Sequence, residues 1–152
     1  MIFRLERTNS KHPEFHNLVR RLDAHLSIED GDKHDFYHQF NSIDNIPYVI
    51  VAYMEDSAIA CGAMKPFDTN SVEVKRMFTE PSQRGNGLGK AILVELELWA
   101  QELGYQDLVL ETGRSFDAAI ALYKKYGFEV IPNYGQYIGV SSSICFKKSI
   151  VK

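Results

Sequence analysis

The spacing of hydrophobic and polar residues predicts a chain that alternates between strands and helices. Apolar residues recur every three or four positions over Pro13–Leu26 and Leu88–Leu103, as in amphipathic helices. Shorter apolar runs predict strands, and the polar turn at residues 55–57 is short enough to join two of them as a hairpin. The predicted strands are Ile2–Arg7, Tyr48–Met54, Ala58–Met64, Val72–Thr79, Leu108–Glu111, Phe128–Ile131 and Ile138–Phe146.

Two further helices complete the predicted order. Ser115 is placed to cap a helix that stops at Gly127. A charged, glycine-containing break at Glu29–Lys33 precedes a short helix over His34–Phe40. This mixed order indicates a single α/β domain over residues 1–152, with a central mixed sheet and helices on both faces.

Composition describes an ordinary soluble protein. The chain has 152 residues, 45% hydrophobic and 24% charged, with a formal net charge of -3. Without a basic surplus, a dedicated nucleic-acid binder is disfavoured, and no apolar run approaches the ~20 residues of a membrane span. Cys61 and Cys145 are far apart in sequence and need no bridge in a reduced compartment. We therefore expect a cytoplasmic protein with neither nucleic-acid nor membrane partners.

The segment with the clearest chemical meaning is the loop Arg84-Gly85-Asn86-Gly87-Leu88-Gly89-Lys90. It follows a predicted strand and opens the predicted helix at Leu88. Three glycines at alternate positions leave the backbone N–H groups bare, and the helix dipole adds positive potential. The loop therefore predicts a site for a phosphate-bearing ligand.

The glycine spacing disfavours a P-loop, a dinucleotide site and a plain turn. A P-loop needs four residues between its first glycine and Gly-Lys, followed by Ser or Thr, whereas here Gly85 and Gly89 are too close and Ala91 follows Lys90. A dinucleotide site needs the spacing G-x-G-x-x-G early in a βαβ unit, whereas this loop has the spacing G-x-G-x-G. A plain tight turn rarely needs three glycines together with Arg84 and Lys90.

Two segments resemble the GNAT N-acetyltransferases. Arg84, Gly87 and Gly89 fit the acetyl-CoA motif of that family, which is Arg or Gln, two residues, Gly, one residue, then Gly or Ala. Downstream, Ala119 to Phe128 is similar to the family segment A-x-x-L-Y-x-x-x-G-F. The two segments lie in family order within residues 72 to 130. The resemblance implies a GNAT-like fold, with a mixed sheet that splays after the strand preceding the loop.

The resemblance also implies how acetyl-CoA is held. The loop amides take the pyrophosphate, the pantetheine arm pairs with the preceding strand, and a backbone N–H near Met77 polarises the thioester carbonyl. Many family members carry Asn about seven residues before the motif tyrosine, where this chain has Phe116, which either packs on the pantetheine or covers the helix start. The implied coenzyme contacts are Met77, Phe78, Thr79, Arg84, Gly85, Asn86, Gly87, Leu88, Gly89, Lys90 and Phe116.

For the chemistry, the resemblance implies direct attack of a primary amine on acetyl-CoA. Tyr123 matches the family tyrosine near the coenzyme sulfur and is the candidate general acid; its spacing alone would suggest a core residue. Glu73, on the strand before the loop, is the candidate base, although a solvated strand residue is the alternative. Glu111, at the end of the next strand, is the second candidate.

The remaining candidates are weaker. His34 with His38, and His12 with His16, have helical spacing but no third ligand, so we predict no metal site. Cys61 and Cys145 are expected to be buried and unreactive. The aromatic loop at residues 133–137 carries tyrosines expected to be exposed near the acceptor. The acceptor is a small molecule or a peptide, a homodimer is common in the family, and the competing function is a non-catalytic acetyl-CoA-binding module.

Overall fold

The computed structural model of the protein describes residues 2–30 and 46–151. The predicted helix at 34–40, with His34 and His38, lies outside these residues. There are three helices in the described part, α1 (Pro13–Asp30), α2 (Leu88–Glu102) and α3 (Asp117–Lys125). The strands are β1 (Arg4–Thr8), β2 (Tyr48–Met54), β3 (Ser57–Pro66), β4 (Ser71–Thr79), β5 (Asp107–Gly113), β6 (Glu129–Ile131) and β7 (Ser143–Ser149).

The strands form one mixed sheet in the order β1-β2-β3-β4-β5-β7-β6. The predicted hairpin is confirmed, because β2 and β3 pair antiparallel across a short turn. β4 pairs with β5 in parallel, and β7 pairs antiparallel with both β5 and β6. The predicted mixed α/β fold is therefore confirmed, whereas the placement of helices on both faces stays a prediction.

The contacts within the chain divide it into two compact units. The first unit comprises Met1–Lys65 and Lys75–Leu96, and the second comprises Pro66–Val74 and Glu97–Lys152. Strand β4 therefore contributes its first residues to the second unit and its remainder to the first. That residues 1–152 act as one N-acetyltransferase domain stays a prediction.

The core of the first unit follows the predicted helical spacing of α1. Pro13 opens this helix, and the imidazole Nδ1 of His12 accepts a hydrogen bond from the backbone N–H of Glu14 at 3.1 Å. Cys61 is fully buried in this core, as predicted, and burial raises the pKa of its thiol to about 12. The cluster comprises Phe15, Leu18, Val19, Leu22, Ile46, Val49, Val51, Tyr53, Cys61, Ala63 and Phe78.

Helix α2 begins at the end of the glycine loop. Its buried face includes Leu88, Ile92, Leu93 and Leu96, which confirms the predicted periodicity up to Leu96. Leu103, the predicted last residue of this face, is 42% exposed and follows the end of the helix. A Cβ at Gly62 of β3 would lie 2.5 Å from Sδ of Met77 and 2.6 Å from Cγ2 of Ile92. Glycine at position 62 therefore lets the Met77 side chain and α2 approach β3 closely.

Three predicted boundaries are wrong. Helix α1 continues through Asp30, so the chain does not break at Glu29. Ser115 does not cap α3; Phe116 occupies the N-cap position without a side-chain cap, and the Ser115 carbonyl instead accepts the N–H of Asp117 at 3.1 Å. Strand β7 begins at Ser143, because residues 135–137 form a 3-10 turn and residues 138–142 continue as irregular chain, with Ile138 exposed.

Candidate active site

The predicted phosphate loop is open and left-handed at two glycines. Gly85 and Gly87 have φ values of 83° and 80°, a conformation that disfavours side chains. A Cβ at either position would meet no atom within 4 Å, so the space above both glycines is open. Asn86 Nδ2 donates to the carbonyl of Gln83 at 3.0 Å and stabilises the turn. Residues 84–87 of the loop are thus exposed, with open space beside both glycines.

The loop also leads directly into a helix N-terminus. The carbonyl of Gly87 accepts the N–H of Ala91 at 3.0 Å, which starts the hydrogen-bond ladder of α2. The first N–H groups of a helix have no intrahelical acceptor and attract anions. Arg84 is exposed, and its Nε donates to the carbonyl of Thr79 at 3.2 Å, so this side chain also fixes the end of β4.

A buried arginine lies just before the predicted thioester contact. Arg76, in β4, has φ 58°, a left-handed conformation that is uncommon for a residue other than glycine. Its guanidinium Nη1 lies 2.7 Å from Oδ1 of Asp23 on α1, and its side chain is only 3% exposed. Its carbonyl accepts a hydrogen bond from Sγ of Cys61 at 3.3 Å. These contacts fix the backbone turn that orients the next residue, Met77.

Arg76 was not among the predicted site residues. Its signal in the sequence was a pair of adjacent basic residues, Lys75 and Arg76, inside a strand that is otherwise largely buried. A buried cation needs a partner, which here comes from 53 positions earlier in the chain.

The Asp23–Arg76 ion pair has a measurable consequence for stability. Replacing Asp23 by Asn leaves the Arg76 guanidinium buried without its counter-charge. We expect the free energy of unfolding to fall by about 2 kcal/mol, below the range for a fully buried pair because Asp23 is partly exposed. Urea unfolding followed by circular dichroism measures the change.

A matched control is Lys147→Gln. Lys147 forms a looser contact with Asp107, at 3.6 Å, and its side chain is 47% exposed. Surface pairs of this kind contribute roughly 0–1 kcal/mol. Equal effects of the two substitutions would contradict a structural role for the Asp23–Arg76 pair.

In the second unit, the candidate base is buried and hydrogen-bonded. Glu73 is 5% exposed, and its neighbour in β5 is Val109. Its Oε2 accepts a hydrogen bond of 2.6 Å from the hydroxyl of Tyr134. Burial, followed by the charge of Glu73, raises the pKa of the Tyr134 phenol far above its ordinary value. The alternative that Glu73 is a solvated strand residue is therefore wrong.

Tyr123 lies in the core of the second unit. Its ring packs at 5.7 Å from Phe128 and 6.1 Å from Phe146. Burial raises the pKa of the Tyr123 phenol well above its usual range, and the charge of Glu111 adds to the shift. The phenol therefore stays protonated near neutral pH, as an acid must. The core position suggested by its spacing is confirmed, while its role as acid stays a prediction.

The tyrosines of the loop at 133–137 were expected to be exposed, which is wrong. Tyr137 is 2% exposed, and Tyr134 is half-buried. Burial, then the charges of Glu111 and Glu73, raise the pKa of Tyr137. The charge of Glu73 thus acts on the phenols of both Tyr134 and Tyr137, and the charge of Glu111 acts on that of Tyr137.

Phe116 covers the end of β5. A Cβ at Gly113 would lie 2.8 Å from ring atoms of Phe116, so glycine there makes room for the ring. This position supports the alternative in which Phe116 shields the start of α3. Its contact with the coenzyme stays a prediction.

His16 and His12, two histidines of the first unit, have structural partners. His16 Nε2 lies 2.6 Å from the carbonyl of Ser10, and His12 Nε2 lies 3.0 Å from the hydroxyl of Tyr53. Cys145 of the second unit is fully buried, as predicted, and burial raises the pKa of its thiol. Within residues 2–30 and 46–151 there is no group of three or more His, Cys, Asp or Glu residues that could hold a metal ion.

Residues 13–128 match the acetyltransferase (GNAT) family model. The chain belongs to the GNAT family. Among curated proteins, it is 34% identical over 101 residues to the uncharacterized N-acetyltransferase YsnE of Bacillus subtilis (strain 168), covering 65% of this chain and 67% of YsnE. The first curated relatives are matched over about half to two thirds of their own length.

Solved structures confirm the GNAT fold. A Klebsiella pneumoniae protein provisionally described as an acyl-CoA N-acyltransferase superposes with a TM-score of 0.83 at 24% identity, over 99% of both chains. A GNAT acetyltransferase of Elizabethkingia anophelis with acetyl-CoA bound gives a TM-score of 0.67 at 18% identity, over 97% of both chains. In the described part of the chain, no helix is both long enough and apolar enough to cross a membrane.

Proposed function

We propose that the protein is an acetyl-CoA-dependent N-acetyltransferase that moves an acetyl group to a primary amine by direct attack in a ternary complex. The observation that carries this proposal is the glycine loop, with two left-handed glycines under open space at the N-terminus of α2. Family membership supports the same donor, since GNAT proteins use acetyl-CoA.

The residues of the first unit fit the donor. Residues 84–90 offer exposed backbone N–H groups and the cations Arg84 and Lys90 for the pyrophosphate. Met77, Phe78 and Thr79 continue β4 toward this loop and are assigned to the pantetheine arm. The left-handed backbone at Arg76 orients the N–H of Met77, which we assign to the thioester carbonyl. Acetyl-CoA, when bound, supplies the activated acetyl group.

The second unit is assigned the proton transfers. An amine acceptor is mostly protonated at neutral pH and must lose a proton before it attacks. Glu73 is the assigned base because it is buried, beside an aromatic loop. Glu111 is the second candidate for this role. Tyr123 is assigned as the acid that protonates the departing thiolate.

Tyr123→Phe tests the acid. It removes one hydroxyl and keeps the ring that packs against Phe128 and Phe146. We expect kcat to fall about tenfold or more with little change in acetyl-CoA affinity. Because the raised pKa keeps the Tyr123 phenol protonated, this factor should be constant between about pH 6 and 9. Steady-state rates of thiol release across that range measure it, and an unchanged kcat would remove Tyr123 from the mechanism.

The donor and the reaction are tested in two steps. Calorimetry with acetyl-CoA, then with NAD⁺, should show micromolar binding of acetyl-CoA alone. A panel of amines, including small diamines, amino acids and peptide N-termini, is then screened for release of coenzyme A. Binding of acetyl-CoA without turnover on any amine would favour the non-catalytic binding module. Binding of NAD⁺ instead would overturn the assignment of the glycine loop.

A further inference from the structure

The loop between β6 and β7 is organised by one side chain. Asn133 Nδ2 donates to the carbonyls of Tyr137, Val140 and Ser143, at 3.1, 3.0 and 3.1 Å. These carbonyls lie on the 3-10 turn, on the segment after it and on the first residue of β7. The two protons of the amide are shared among the three acceptors. The conformation of the loop around Tyr134 is therefore stabilised by hydrogen bonds within the chain.

Aromatic contacts then place the Tyr134 side chain. Its ring packs edge-on to Phe67 with centroids 4.8 Å apart, and to Tyr137 at 5.9 Å. Such edge-to-face pairs stabilise a ring beyond the effect of its burial. The hydroxyl at the end of this ring reaches Oε2 of Glu73 at 2.6 Å, the distance typical of a phenol bound to an ionised carboxylate.

This contact has a defined effect on the carboxylate. Burial and the neighbouring charge keep the Tyr134 pKa far above the working range, so the hydroxyl remains a donor at every pH of interest. A hydrogen bond donated to one carboxyl oxygen fixes the rotation of the carboxyl group, and the group can still accept further hydrogen bonds.

We propose that Tyr134 is a positioning residue, which holds the Glu73 carboxyl group in the orientation that accepts the proton of the amine. This inference rests on the proposed function. Tyr134 acts through Glu73 and takes no proton itself. The loop ordered by Asn133 thus serves as the support of the base.

The test compares two Tyr→Phe variants. Tyr134→Phe should lower kcat about tenfold, because one hydrogen bond to a charged group is lost. The Kd for acetyl-CoA should be unchanged, so the loss should appear in kcat and not in binding of the donor. Tyr126→Phe is the matched control, since the Tyr126 hydroxyl bonds to Glu97, a carboxylate that the reaction does not use. We expect its rates to match the wild type.

The double variant separates positioning from direct catalysis. In a Glu73→Gln background, Tyr134→Phe should have no further effect on kcat, because the group it positions is gone. A further tenfold loss in the double variant, or an unchanged kcat in the single variant, would overturn the inference. A second cycle, with Glu73→Ala in place of Glu73→Gln, removes the acceptor of the Tyr134 hydroxyl and adds a readout without turnover. In urea unfolding of the four proteins of this cycle, non-additive free energies of unfolding support the contact, and additive values would overturn the inference even if no amine acceptor is found.

Discussion

Glu73→Gln is expected to lower kcat by about 100-fold or more, the usual contribution of a positioned general base. The substitution keeps the size of the side chain and an oxygen that can accept a hydrogen bond from the Tyr134 hydroxyl, so the fold should be preserved. Affinity for acetyl-CoA should change little, because the donor is assigned to residues 77–79 and 84–90. Single-turnover rates with saturating acetyl-CoA and calorimetric titration of the same preparation measure both quantities.

Glu111→Gln is the informative comparison. Glu111 is half-buried on β5, opposite Cys145 of β7, and its charge contributes to the raised pKa of Tyr123 and Tyr137. If Glu73 is the base, Glu111→Gln should cost much less than Glu73→Gln. A larger loss of kcat in Glu111→Gln than in Glu73→Gln would assign the role of general base to Glu111. An exposed acid, Glu129 on β6, gives the baseline when changed to Gln.

Local sequence patterns were sufficient for most of the fold. Helices α1 and α2 bury residues at the predicted spacing, because an apolar stripe can be satisfied only on one helix face. The β2–β3 hairpin follows from two apolar runs and a short polar turn. The glycine loop was recognisable because left-handed backbone at Gly85 and Gly87 requires that residue type.

The errors came from features that depend on distant contacts. Ile138 is apolar and was assigned to a strand, but it is 70% exposed, because Asn133 ties the adjacent chain into a turn. Arg76 adopts a left-handed conformation supported by Asp23, and Tyr134 meets Glu73 across 61 positions. No periodicity within a short window encodes such pairs, so the surroundings of the candidate base Glu73 became visible only in three dimensions.

Gly87→Val is expected to raise the Kd for acetyl-CoA about 100-fold or more. A branched side chain is strained at φ 80°, so the backbone must rotate. The neighbouring N–H groups then no longer point at the pyrophosphate. Two lost charge-assisted hydrogen bonds account for a change of this size. Calorimetry with acetyl-CoA and with desulfo-coenzyme A measures it independently of turnover.

Gly104→Val separates ligand contact from backbone strain. Gly104 has φ 90° and, like Gly87, open space where its Cβ would lie. The two substitutions should therefore destabilise the free protein to a similar extent. In the free protein the new side chain at position 87 would point into open space, so a clash there arises only when a ligand fills it. Loss of affinity in Gly87→Val with normal affinity in Gly104→Val would thus locate the ligand above the loop, and equal affinity in both variants would place it elsewhere.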